Sequence, residues 1–161
     1  PSTSLPPMLK PGDRAPAFTL SDQDGNKVKL TELKGETVVV YFYPRADTPG
    51  CTTQACGIRD RGDEYRELGA RVLGISPDQP EALQKFAGKY DLDFTLLADP
   101  DHKVAEKYGA WGEKSMYGKK YMGIVRSTYI VDPRGKISHV FPKVQPKKHD
   151  GLVLKALAEL G

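Results

Sequence analysis

The chain holds two cysteines, Cys51 and Cys56, five positions apart in Tyr43-Pro44-Arg45-Ala46-Asp47-Thr48-Pro49-Gly50-Cys51-Thr52-Thr53-Gln54-Ala55-Cys56. Thr48-Pro49 is a helix-start signal, Thr at the N-cap and Pro at the first helical position. By that count Cys51 is the third residue of a helix. Its sulfur then lies among the free backbone N–H groups of the first turn, at the positive end of the helix dipole, a setting that favours thiolate over thiol. The third helical position is also where the Glu of a capping box reaches back to the N-cap N–H, a donor that a thiolate could use. The competing reading is a pair of buried cysteines acting as small hydrophobes. Against it, Gly50 and Thr52 make the junction around Cys51 polar, a poor place to hide a side chain, so a reactive, accessible Cys51 is expected.

The spacing carries a second expectation. Two helical residues five apart have Cα atoms about 8.7 Å from each other, whereas a disulfide needs them within about 7 Å. Cys51 and Cys56 therefore cannot bond while that helix is intact, and any bridge between them requires its first turns to unwind. Gly57 and Gly62 suit such unwinding, since each weakens a helix interior by about 1 kcal/mol relative to Ala.

These residues resemble the peroxiredoxin family, in particular its bacterioferritin-comigratory-protein or peroxiredoxin Q branch. The family pattern of Pro, three residues, Thr or Ser, two residues, Cys is met by Pro44, Thr48 and Cys51. Cys56 matches the branch's second cysteine, and Arg59-Asp60, Trp111 to Gly118 and Gly123 to Thr128 extend the likeness over nearly the whole chain. Ala46 departs from it, standing where branch members often carry an acidic residue. The resemblance implies a thiol peroxidase that reduces hydrogen peroxide and alkyl hydroperoxides. Cys51 would pass through sulfenic acid to an intramolecular Cys51–Cys56 disulfide, recycled by thioredoxin or a similar dithiol protein. It also implies that Arg126 stands beside the reactive sulfur, where a guanidinium would favour thiolate and hold a peroxide oxygen. Thr48 would offer its hydroxyl to the cap or to Cys51 and peroxide, and Pro44 would shield the sulfur from water. No cofactor is called for, because the sulfur is itself the redox centre. A thiol switch that signals oxidation without efficient turnover would carry the same cysteine pair. A thioredoxin-like disulfide reductase is disfavoured, because the pair is not Cys-x-x-Cys.

The elements that must position these groups can be read from pattern. Val38 to Phe42 is a continuous apolar, β-branched and aromatic run, the mark of a strand buried on both faces. Upstream, Ala17–Leu20 and Lys27–Leu30 flank Asp24-Gly25 as a β-hairpin, and Thr31 to Gly35 is one helical turn. The cysteine helix is expected to continue to Leu68, with Ala55, Ile58, Tyr65 and Leu68 on one apolar face. Further strands are expected over 71–76, 94–97, 124–131 and 136–141, the last two joined by the turn Asp132-Pro133-Arg134-Gly135. Helices are expected over 80–90, from Asp99-Pro100 to Tyr108, and over 150–160. Residues 109–123 read as a long Gly-rich, aromatic loop of suspected functional role. Arg126 falls early in the strand after it, and Gln54 is expected to be exposed or at the rim of the site. Strands alternating with helices give an α/β layered fold. The resemblance makes it thioredoxin-like, a central mixed sheet flanked by helices with an added N-terminal β-hairpin.

At 161 residues with 28% charged side chains, composition is that of an ordinary globular protein. Residues 1–10 read as a flexible N-terminal arm and 11–161 as a single domain. The start lacks the basic and apolar regions of a signal peptide, and no apolar run is long enough to span a membrane. Two cysteines are too few for a secreted disulfide framework, so a reducing, cytoplasmic compartment is expected. His102, His139 and His149 have no metal-ligand spacing and read as ordinary. Residues 1–102 carry 12 Lys and Arg against 16 Asp and Glu; residues 103–161 carry 12 against 5. No nucleic-acid motif accompanies that basic second half, so a solvated or partner-docking face is expected there, and no nucleic-acid partner. An intramolecular bridge removes the need for a second subunit, so a monomer is expected.

Overall fold

The computed structural model describes residues 9–160. Of the expected N-terminal arm, residues 1–8 lie outside the described residues. Leu9 packs against the core.

Thr19–Asp22 (β1) and Lys27–Lys29 (β2) form the expected hairpin, and Leu30–Leu33 closes it with a turn of 3-10 helix. Then come Thr37–Phe42 (β3), Pro49–Asp60 (α1), Gly62–Glu67 (α2), Ala70–Ser76 (β4), Pro80–Tyr90 (α3), Thr95–Ala98 (β5) and Lys103–Lys107 (α4). Trp111–Met116 (β6), Lys119–Ile124 (β7), Thr128–Val131 (β8), Ile137–Phe141 (β9) and His149–Leu160 (α5) complete the described order. Seven strands make one mixed sheet in the order β2-β1-β5-β4-β3-β8-β9. β3, β4 and β5 run parallel, while β8 lies antiparallel to β3 on its other side.

The apolar run is β3, and it is central because it is buried on both faces. Val39, Tyr41 and Tyr43 point to the side covered by α1, α2, α3 and α5; Val38, Val40 and Phe42 point to the side of α4 and the N-terminal segment. This is strand alternation with no polar face left over. The consequence for function is positional: the carboxyl end of β3 hands the chain directly to the loop that starts α1. Among the described residues, no helix is long and apolar enough to cross a membrane.

Four expectations need correction. The helix expected to run to Leu68 is broken at Arg61 (φ −108°, ψ 20°), just before Gly62, and its N–H turns back to the Arg59 and Gly57 carbonyls. Ala55, Ile58 and Tyr65 are buried, but Leu68, beyond the break, is exposed. α4 begins at Lys103 rather than at Asp99, because His102 adopts a left-handed conformation (φ 49°). Asp99 still serves that helix, its carboxylate accepting from the N–H groups of Val104 and Ala105. The expected loop 109–123 is the antiparallel hairpin β6–β7, paired from Trp111↔Ile124 to Met116↔Lys119. Its tip, Tyr117-Gly118, has φ of 52° and 78°, the double left-handed geometry that a two-residue hairpin requires. Lastly, the strand expected from Ile124 is interrupted, so Arg126 lies in the Val125–Ser127 connection between β7 and β8 rather than within a strand.

Candidate active site

Thr48, in an extended conformation (φ −99°, ψ 157°), is the N-cap of α1, and Pro49 is its first residue. Cys51 is thus third, as the spacing predicted. The Thr52 N–H donates to the Thr48 carbonyl at 2.8 Å, so the N–H groups of Gly50 and Cys51 precede the first intrahelical bond and remain free of it. The loop before the helix is tied to neighbouring elements. The Ala46 N–H donates to the Asp78 carboxylate at 2.8 Å. The Asp47 carboxylate accepts from Lys89 at 2.9 Å and from the Tyr90 hydroxyl at 2.7 Å. These bonds hold Asp47 at φ 60°, a left-handed conformation that Asp tolerates better than most residues. They fix where α1 begins.

The expectation that Cys51 stays accessible does not hold. Its side chain is 1% exposed and belongs to the cluster that includes Val39, Tyr43, Ala55 and Ile58. The reason is helical periodicity: Cys51, Ala55 and Ile58 stand at i, i+4 and i+7, so the cysteine heads the apolar stripe that α1 lays on the sheet. Thr53, off the stripe, takes the polar side of the junction and is exposed.

The burial is not apolar throughout. The Arg126 guanidinium reaches into it, with Nη2 3.4 Å from Cys51 Sγ and Nη1 donating to Gln54 Oε1 at 2.8 Å. One planar fork therefore holds two residues of the first turns of α1. Gly50 leaves the room: a β-carbon there would lie 3.2 Å from Arg126 Nη2 and 3.4 Å from Pro146 Cγ. Gln54, expected at the surface or rim, is fully buried. Sequence spacing could have found it, since i+3 from Cys51 is the same helix face.

The remaining sequence-predicted residues are placed as follows. Cys56 lies five positions along the same unbroken helix, about 140° round it from Cys51, half-buried, and both thiols are free. The Thr48 hydroxyl donates to the Arg45 carbonyl at 2.8 Å and makes no side-chain cap. Its one proton is thus engaged, and what it can offer a ligand in this state is a lone pair. Pro44, half-buried, sits in the bend between β3 and the loop.

Two groups near the site were not singled out by the sequence. Lys114, half-buried on β6, has its ammonium held below the usual lysine range, first by burial and then by the Arg126 charge. His149, at the start of α5, is 1% exposed, with Nε2 2.9 Å from the Thr128 hydroxyl. Burial, and after it the Arg126 charge, push His149 down from 6.5 to about 4. The sign of the stability effect follows. Above pH 6.5 both folded and unfolded chains keep this imidazole neutral, and its contribution is complete. As pH falls from about 6.5 to about 4, the unfolded chain takes up a proton that the folded one refuses, and roughly 3 kcal/mol of stability is lost. Urea midpoints measured across that range should fall in the wild type, and His149→Gln should flatten the fall. Asp150 works the other way, since burial pushes its carboxyl up and protonation then favours the fold. The quantity to read is therefore the difference between wild type and variant.

Comparison with known proteins places the whole chain in a family. The model of the AhpC/TSA family matches residues 11–140. Peroxiredoxin Bcp of Escherichia coli is 55% identical over 151 residues, covering 94% of this chain and 97% of that protein. Among solved structures, the bacterioferritin comigratory protein of Xanthomonas campestris, described for its alkyl peroxide reduction activity, superimposes with a TM-score of 0.84 at 34% identity. The match covers 88% of this chain and 90% of that one. A cysteine mutant of Xylella fastidiosa PrxQ reaches 0.89 at 26% identity, covering 96% and 98%. The mixed seven-stranded sheet, flanking helices and N-terminal hairpin are the thioredoxin-like fold expected from the sequence. A buried cysteine heading a helix, an arginine fork at its sulfur, and likeness over the full sheet lead to one conclusion: this chain belongs to the AhpC/TSA family, among its peroxiredoxins of the Bcp or peroxiredoxin Q type, and is a thiol peroxidase.

Proposed function

We propose that Cys51 is the sulfur that peroxide oxidises and that Cys56 resolves the product. The observation that carries the reading is the Arg126 Nη2 to Cys51 Sγ distance of 3.4 Å at the mouth of α1. A guanidinium there stabilises negative charge on the sulfur and on the peroxide oxygens as they separate. The Cys51 thiolate attacks the near oxygen of hydrogen peroxide or an alkyl hydroperoxide. An S–O bond forms, the O–O bond breaks, and the far oxygen leaves with a proton as water or alcohol. The backbone N–H groups of Gly50 and Cys51 supply further donors. Thr48, its proton held by Arg45, accepts from the peroxide O–H. Pro44 limits water at the sulfur.

Cys51 sulfenic acid then condenses with the Cys56 thiol, releasing water and forming the disulfide. Because both residues stand in the intact helix Pro49–Asp60, this step requires α1 to unwind locally. A dithiol protein of the thioredoxin kind returns both sulfurs to thiols. The chain acts as a monomer in the cytoplasm, and residues 11–161 serve as one domain.

The test is mass spectrometry after one equivalent of hydrogen peroxide. Wild type should lose two hydrogen atoms as the Cys51–Cys56 disulfide forms, the two electrons passing to the peroxide. Cys56→Ser should instead gain one oxygen at Cys51 and, with further peroxide, proceed to sulfinic acid. Its second-order rate of first oxidation should match wild type, and its multiple turnover with a dithiol reductant should fall markedly. A wild-type protein that gains oxygen at Cys51 but never closes a bridge to Cys56 would sink the resolving half of this reading.

A further inference from the structure

A Cys51–Cys56 disulfide requires local unwinding of α1, and the structure packs that helix closely at two glycines flanking the cysteine pair. Gly50 packs against Arg126 and Pro146. Gly57, the residue after Cys56, packs against Asp150: a β-carbon on Gly57 would collide with Asp150 Oδ2. Pro146 lies just before α5, and Asp150 is its second residue. The Gly57 contact has a second anchor. The other carboxylate oxygen, Asp150 Oδ1, accepts from the Tyr65 hydroxyl at 2.7 Å. Tyr65 is buried in α2, beyond the Arg61 break. One carboxylate thus bridges the start of α5, the Cys56 turn of α1, and α2. This carboxyl group is more than half-buried, and burial pushes it above the usual carboxylate range. A carboxylate so placed depends on its donor, because losing that hydrogen bond leaves a buried charge unpaired. In the unwound helix the same group returns to water.

We propose that Asp150 and Tyr65 form a latch on the Cys56 turn of α1, and that the latch sets how long Cys51 sulfenic acid waits for its partner. The proposal rests on the Cys51–Cys56 reading above. It adds Asp150 and Tyr65 as positioning residues, which touch neither substrate nor sulfur. The wait matters chemically. While sulfenic acid persists, a second hydroperoxide can donate an oxygen to the same sulfur, giving sulfinic acid and water or alcohol. Slow release of the latch makes the enzyme sensitive to excess peroxide, and fast release protects it.

The test compares reduced wild type with Tyr65→Phe, which removes the hydroxyl and keeps the ring. After one equivalent of hydrogen peroxide, quenching with a thiol-alkylating reagent at successive times and mass spectrometry give two rates, first oxidation and disulfide closure. First oxidation should be unchanged. Closure should be about tenfold faster, the scale of a hydrogen bond to a charged group. The peroxide concentration that converts half of the chains to sulfinic acid should rise in the same proportion. Amide hydrogen exchange of the reduced proteins should show residues 55–58 exchanging faster in the variant, with β4 unchanged. Asp150→Ala should move closure in the same direction and serves if Tyr65→Phe fails to fold. Closure that is unchanged or slower, with first oxidation intact, overturns the latch. Absence of any Cys51–Cys56 disulfide in wild type overturns the underlying reading instead, and the exchange of residues 55–58 still decides whether the latch exists.

Discussion

Cys51→Ser should abolish peroxide consumption, with a loss of several orders of magnitude in a coupled assay containing thioredoxin, thioredoxin reductase and NADPH. The argument is one of chemistry before geometry. A serine hydroxyl at the head of α1 keeps the shape of the site and can still meet Arg126, but it is not ionised near neutral pH and oxygen does not accept an oxygen atom from a peroxide as sulfur does. Removing the nucleophile from a set of groups that act as a unit costs nearly the whole rate, because its activators then have nothing to activate. The substitution is close to isosteric and sits in the buried layer between α1 and the sheet, so urea unfolding should show a small change beside the kinetic one. Appreciable turnover by Cys51→Ser would mean that Cys56, or no cysteine, is the site of attack. The same assay separates an enzyme from a thiol switch. A peroxidase site should react with peroxide orders of magnitude faster than free cysteine, and a mere switch need not.

The chemistry of the site was more legible in the sequence than its geometry. Thr48-Pro49 located the helix start, and Cys51 fell third in it, because caps act through nearest neighbours and need no tertiary partner. β3 was legible because burial on both faces leaves no polar residue to confuse the pattern. The exposure of Cys51 was misjudged because the flanking Gly50 and Thr52 describe the backbone junction. The side chain's direction comes instead from its phase with Ala55 and Ile58, four and seven residues on. The β6–β7 hairpin was read as a loop for a related reason. Its strands carry Lys114, Met116, Lys119, Tyr121 and Met122, with much of that surface exposed. Without a buried face there is no apolar alternation to detect. The contact between Arg126 and Cys51 came from resemblance, since nothing local links residues 75 positions apart. Gly57 was read as a weak point in the helix. The structure gives it a second meaning, a position whose missing β-carbon makes room for the Asp150 carboxylate. Close approach between elements leaves no trace in the pattern of either element alone.

Arg126→Ala should slow the first oxidation of Cys51 by about 10²–10³-fold, the range for deleting one preorganised donor at a site of developing charge. Two effects combine in that loss. The guanidinium faces the sulfur at 3.4 Å, where charge would develop as peroxide is attacked. Its second nitrogen holds Gln54 Oε1 at 2.8 Å, and the Gln54 Nε2 has no partner among the described residues. Without Arg126 the buried amide loses its one bond and is free to turn toward the sulfur. Arg126→Lys tests the geometry, because it restores the charge but not the fork. An ammonium can meet the sulfur or the amide oxygen, but it lacks the planar pair of donors that serves both at once. Its rate should therefore lie close to that of alanine rather than midway to wild type. Stopped-flow measurement with hydrogen peroxide as the varied substrate gives the first-oxidation rate directly, free of the reductant. Cys56→Ser as the background keeps closure from intruding. A lysine variant that oxidises as fast as wild type would show that charge alone suffices and that the bond to Gln54 is structural. An alanine variant with an unchanged rate would remove Arg126 from the site's chemistry altogether.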